Sequence, residues 1–156
     1  VNIGQLREYV VRPALQHIGL HTPAAENLVL GTAIVESATD FLRQVGNGPA
    51  LGLWQMEPAT HDDLWVNYIG YRRPLVERMN QLTTSAAITA GATELVGNLF
   101  YAAAMCRIAY ARAPEQLPEP NDALAMAKLW KLRYNTPKGA GTVPVALQGF
   151  KVACGV

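Results

Sequence analysis

Apolar residues recur at helical spacing along most of the chain. Between residues 4 and 20 they fall at Leu6, Val10, Ala14 and Ile18, the rhythm of a single helix face, and Pro13 predicts a kink or an early end within that segment. Thr22-Pro23 supplies an N-cap followed by proline at the first helical position, with Glu26 in the first turn, so a second helix is expected over about 23–38. That stretch is apolar almost all round, through Leu28, Val29, Leu30, Ala33, Ile34 and Val35, as befits a helix at the centre of a domain. Further helices are expected at about 58–68, 74–82, 93–113, 122–134 and 142–153, with Pro58, Pro74, Asn121 and Thr142 at or near their starts. The rhythm changes at Phe41, Arg43 and Val45, which alternate with Leu42 and Gln44 ahead of Asn47-Gly48. Asn-Gly is the strongest short hairpin signal, so a small β-hairpin or structured loop is expected over about 41–56. The proline-rich run APEQLPEPN, 113–121, reads as a connection.

Composition narrows the class. A chain of 156 residues, 50% hydrophobic and 16% charged, is long enough to close one core and short for two, so 1–156 is read as a single domain. The formal charge of +1 hides an asymmetry: residues 1–63 carry −4 and residues 64–156 carry +5. The basic residues are dispersed with no dense run, which argues against nucleic-acid binding while leaving a surface suited to an acidic polymer. No stretch reaches the roughly 18 apolar residues of a membrane span, and no basic-then-apolar signal peptide opens the chain. The start at Val1 without Met points to processing, excision from a longer protein or trimmed numbering.

Two cysteines, Cys106 and Cys154, form no CxxC pair. Cys106 sits inside the apolar run YAAAMCRIAY and is read as a buried free thiol, with a disulfide as the alternative. His17 and His21 would share a helical face but lack a third ligand, so no metal site is assigned. His61 beside Asp62 and Asp63 reads as part of an acidic helix N-terminus. No cofactor motif is present. Trp65 and Trp130, among Leu64 and Leu129, read as core.

Glu36-Ser37 stands at the end of the apolar helix and is followed, after glycines, by Gly52-Leu53-Trp54-Gln55-Met56. A carboxylate set among apolar neighbours is pushed toward its protonated form, which makes Glu36 a candidate general acid. The second segment would form the facing wall. Gly52 would admit close approach of a ligand, Gln55 offers an amide donor and acceptor, and Trp54 a face for stacking on a sugar ring. One acid, amide groups, aromatic faces and no nucleophile–histidine pair suit glycosidic cleavage better than acyl transfer.

The order Glu36-Ser37, glycines, Gly52-Leu53-Trp54-Gln55-Met56, then Pro58 and Thr60, resembles the lytic transglycosylases and goose-type lysozymes of the lysozyme-like superfamily, which show Glu-Ser, Gly-Leu-Met-Gln, then a proline and a threonine. Tyr134-Asn135 is similar to their later Tyr-Asn motif. The likeness is close over 33–60 and loose over 130–141. Trp54 replaces a common Met, and Arg133 and Thr136 replace the usual alanine and glycine around Tyr-Asn.

The resemblance implies a mainly α, lysozyme-like α+β fold in which a small hairpin flanks a substrate groove. It implies Glu36 as the catalytic residue, with Ser37, Gly52, Leu53, Trp54, Gln55, Met56, Tyr134 and Asn135 binding substrate and no cofactor required. The substrate would be the glycan strands of bacterial peptidoglycan, cleaved between N-acetylmuramic acid and N-acetylglucosamine with formation of an anhydro ring. The setting would be a virion or the periplasm and cell wall, with other virion or envelope-assembly proteins as further partners. A hydrolytic muramidase would need a second carboxylate, for which Asp40, Glu57, Asp62 and Asp63 are the local choices. From another class stands a non-catalytic glycan-binding or structural module. Ser37 is expected to orient Glu36 or to bond backbone, and Arg43 or a helix end is the partner expected were Glu36 only structural.

Overall fold

A computed structural model describes residues 1–84 and 91–156. The first helix, α1, spans residues 3–17 without stopping at Pro13. It runs as Ile3–Leu6, a wide π turn over Arg7–Val11, and Arg12–His17. Proline cannot donate to the carbonyl one turn back, and the wider turn just ahead of Pro13 absorbs that loss. The following helix, α2, is Pro23–Ser37, capped by Thr22 Oγ1 accepting from the Ala25 N–H at 3.0 Å. It is closed by Ala38 in the left-handed conformation.

The chain continues with α3 (Pro58–Asn67), α4 (Arg73–Leu82), α5 (Leu99–Arg112), α6 (Ala123–Trp130) and α7 (Val143–Cys154). The long helix expected over 93–113 is broken at Asn98. A single turn, Glu94–Gly97, precedes the break, and Asn98 caps α5 by accepting from the Tyr101 N–H at 3.0 Å. A side chain that satisfies the orphan donors of a new helix starts that helix even inside an apolar run. At its far end α6 widens into a π turn over Lys131–Asn135.

α2 is the central element, buried along nearly its whole length and packed most extensively on α7, which in turn packs on α6. α1 and α5 cover its other side. Leu28, Leu30, Trp54, Tyr101, Trp130 and Phe150 are among the largest side chains closed off in the core. No helix among the described residues is long and apolar enough to cross a membrane. Cys106 and Cys154 are both free thiols, Cys106 fully buried.

The expected β-hairpin is absent: residues 41–56 form a structured loop, held by isolated antiparallel bridges of Leu51 with Arg43 and with Met56. An Asn-Gly hairpin turn requires positive φ at both central residues. Here Gly46 takes that conformation, with φ 83°, while Asn47 and Gly48 do not. Gly52 (φ 73°) and Gln55 (φ 47°) turn the chain between Leu51 and Met56.

Candidate active site

The C-terminal end of α2, the 41–57 loop, the ends of α3 and α5, and the π turn with the chain after it enclose a groove of about 820 Å³. Glu36 opens into it from the last turn of α2. Its Oε1 accepts a hydrogen bond from the indole N–H of Trp130 at 2.8 Å, and Arg43 is not its partner. Burial pushes the Glu36 carboxyl up to about 7, the Trp130 bond opposing but not cancelling the effect. Beside it lie Cys106, Tyr110 and Tyr134, all driven by burial away from ionisation, so none of the three sets a charge against Glu36. Thr32, one turn earlier on α2, joins Tyr110 Oη at 2.8 Å and fixes that bed.

The groove brings together only part of the expected set. Ser37, Gln55, Met56, Tyr134 and Asn135 line it with Glu36, whereas Gly52, Leu53 and Trp54 lie beneath its surface. Trp54 is only 1% exposed and its indole donates to the Val29 carbonyl at 2.8 Å. It therefore offers no face to a sugar, and the expectation of stacking there is corrected. Gly52 is glycine for a backbone reason: its φ is positive and a Cβ would collide with the Leu95 carbonyl, so the expected approach of a ligand is not what requires it. Leu53 and Trp54 contribute through their carbonyls, which accept from Ser37 Oγ at 2.7 Å and from Tyr134 Oη at 2.8 Å. Ser37 thus ties the end of α2 to the loop and does not orient Glu36.

Tyr134 packs against Tyr110, ring centroids 5.4 Å apart. The Asn135 side chain accepts from Lys131 Nζ at 2.8 Å, and the same ammonium reaches the Gly139 carbonyl at 2.7 Å, which pins the chain after the π turn. Non-glycine residues with positive φ concentrate around this site. Ala38, Gln55 and Thr136 line the groove, and Thr39 is next to Ala38. Left-handed threonine is strained by about 1–3 kcal/mol and persists where the surroundings over-determine it, as functional sites do.

Sequence reasoning missed two residues. Trp130 reads as core from its spacing, and it is indeed 2% exposed, yet its N–H serves Glu36. Phe41, 49% exposed, is an aromatic ring that lines the groove together with Tyr134, and Val45 lines it as well. The alternation of Phe41 and Val45 was a signal that both face one side.

Among the carboxylates considered as second groups, Glu57 shares the groove. Asp63 pairs with Arg112, Asp62 bonds His61 Nδ1 at 2.8 Å, and Asp40 is exposed near the N-terminus. Arg112 and Arg133 line the groove with their charges met by Asp63 and Glu115.

The histidines form no metal centre. His17 bonds the Arg78 carbonyl, His21 lies beyond the end of α1 on Glu26, and His61 is buried with its Nε2 on Tyr101 Oη at 2.8 Å. No group of three or more His, Cys, Asp or Glu among the described residues is placed to hold a metal ion. Comparison of the chain with protein-family models, curated proteins and solved structures finds no match.

Proposed function

We propose that the protein cleaves the glycan strands of bacterial peptidoglycan as a lytic transglycosylase of lysozyme-like architecture, with Glu36 as acid and then base. The observation that carries this reading is a carboxyl whose proton is held to about pH 7 and which opens into a groove of about 820 Å³. A general acid is most effective when its pKa lies near the working pH. The likeness of Glu36-Ser37 and Gly52 to Met56 to the lytic transglycosylase motifs supports the same reaction.

In the first step Glu36 gives its proton to the oxygen bridging N-acetylmuramic acid and N-acetylglucosamine. The bond from that oxygen to the muramic anomeric carbon breaks, its electron pair leaving with the oxygen. The acetamido group of the muramic sugar stabilises the positive charge left at the carbon. In the second step the Glu36 carboxylate takes the proton of the muramic 6-hydroxyl as its oxygen bonds the same carbon, closing the anhydro ring. Water is not consumed and Glu36 is restored. Gln55, Tyr134 and Asn135 form the polar wall, and Phe41 supplies the apolar face for a sugar. Such a substrate places the protein in a virion or at the periplasmic cell wall, beside virion or envelope-assembly proteins.

The presence of Glu57 in the groove favours hydrolysis as the second reading. An inverting hydrolase needs a second carboxylate roughly 6.5–9.5 Å from the acid to activate water. Product mass separates the two, because anhydro ends are one water lighter than hydrolysed reducing ends. Purified peptidoglycan digested by the protein should yield anhydro ends, and Glu36→Gln should yield them at least about a hundredfold more slowly. Reducing ends alone favour the muramidase, clearing by Glu36→Gln at the parental rate would remove Glu36 as the acid, and a parent that leaves peptidoglycan intact would leave a non-catalytic module.

A further inference from the structure

We propose that Trp130 is a positioning residue that divides the labour of the two Glu36 oxygens, reserving Oε1 as an acceptor and leaving Oε2 to release and recover the proton. This rests on the function proposed above. An indole N–H can only donate, so the oxygen it meets at 2.8 Å must be accepting. In a protonated carboxyl that oxygen is the carbonyl-like one, and the hydrogen sits on its neighbour.

The donor is held in place from several directions. Trp130 is 2% exposed at the end of α6, where the helix widens into the Lys131–Asn135 π turn. Gly141 lies so close to the ring that a Cβ there would collide with it. Hydrogen bonds to an ionised acceptor are stronger than those to a neutral one. The Trp130 bond therefore tightens as the proton leaves Glu36, stabilising the carboxylate that forms when the glycosidic bond breaks. The other titratable groups around Glu36 are Cys106 and Tyr110 from α5 and Tyr134 from the π turn. Glu57, Arg112 and Arg133 line the same groove, the arginines already paired with Asp63 and Glu115.

The test replaces Trp130 by phenylalanine and, separately, by 3-benzothienylalanine, which keeps the shape of indole and removes only its N–H. Glu36 is followed by carbon-13 carboxyl titration, its signal identified by its loss in Glu36→Gln, and cleavage of purified peptidoglycan is followed as a pH–rate profile. The Glu36 midpoint should move above its parental value of about 7, with the alkaline limb of the profile following it. On the acid side of that profile kcat should fall about tenfold with KM unchanged.

A midpoint that stays or falls, or a kcat at the parental level, in a folded variant overturns the role of Trp130 while leaving the proposed function standing. If Trp130→Phe does not fold, the benzothienyl protein decides. A parent protein that leaves peptidoglycan intact overturns the proposed function and the positioning role together.

Discussion

Glu26 and Glu36 stand on one helix, both shielded from water, and are driven in opposite directions. Burial raises the pKa of each; what differs is the company. Around Glu26 the hydrogen bonds from Arg12, Arg7 and His21 outweigh burial and bring the carboxyl down to about 2. Arg7 reaches it at 2.8 Å and Arg12 with two nitrogens at 2.9 and 3.0 Å. Glu36 receives one neutral N–H, from Trp130, and stays near 7. One end of α2 thus holds a carboxylate that fastens α1 to the core, and the other holds a carboxyl that keeps its proton to about pH 7. The same residue type is held ionised or protonated according to whether cations reach it.

Glu36→Gln tests the protonated end and, on the proposed function, should have the largest effect. Loss of a general acid should lower the rate of peptidoglycan cleavage by about 10²–10⁴-fold. The same substitution should stabilise the fold at high pH. Because the folded-state pKa of Glu36 is raised to about 7 from an ordinary 4.5, its ionisation costs nothing below about pH 4.5. The cost grows between 4.5 and 7, reaching about 3 kcal/mol above that. Urea unfolding should therefore show the variant more stable than the parent by about 1–3 kcal/mol at pH 8 and equal to it at pH 4.

Glu26→Gln tests the structural end. Removing the carboxylate leaves Arg7 and Arg12 facing each other in a half-buried cluster, so stability at pH 7 should fall by about 2–4 kcal/mol by urea unfolding. The rate per folded molecule should be unchanged. The sign with pH is opposite to that of Glu36. With a folded-state pKa lowered to about 2, Glu26 contributes fully above about pH 4.5, and its contribution disappears as pH falls toward 2. The smallest effect is expected from Phe41→Ala, at the groove rim. It should raise KM for glycan roughly three- to tenfold while shifting stability by less than about 0.5 kcal/mol.

This contrast was half legible in the chain. Apolar surroundings marked Glu36 as an acid before any coordinates, and Thr22-Pro23 placed the start of its helix correctly. Glu26 read only as an acid suited to a helix N-terminus. Its partners Arg7 and Arg12 come from another helix and His21 from the turn between them, and no periodicity ties those positions together. The tryptophans show the same limit. Trp54, inside the Gly52–Met56 segment, reads as a groove residue, and Trp130, at helical spacing, reads as core. Local pattern reports that a ring is near an apolar face but not which of its edges finds a polar partner. Likewise Asn47-Gly48 carried a strong turn signal. The loop is instead set by Gly46, Gly52 and Gln55 and by contacts with the end of α2.

Carbon-13 titration of the two carboxyls in a single sample tests the central claim most directly. Glu36 should titrate with a midpoint near 7 and Glu26 near 2. Two midpoints together near the ordinary glutamate value of about 4.3 would contradict the account of how this helix holds one carboxyl ionised and the other ready to give its proton.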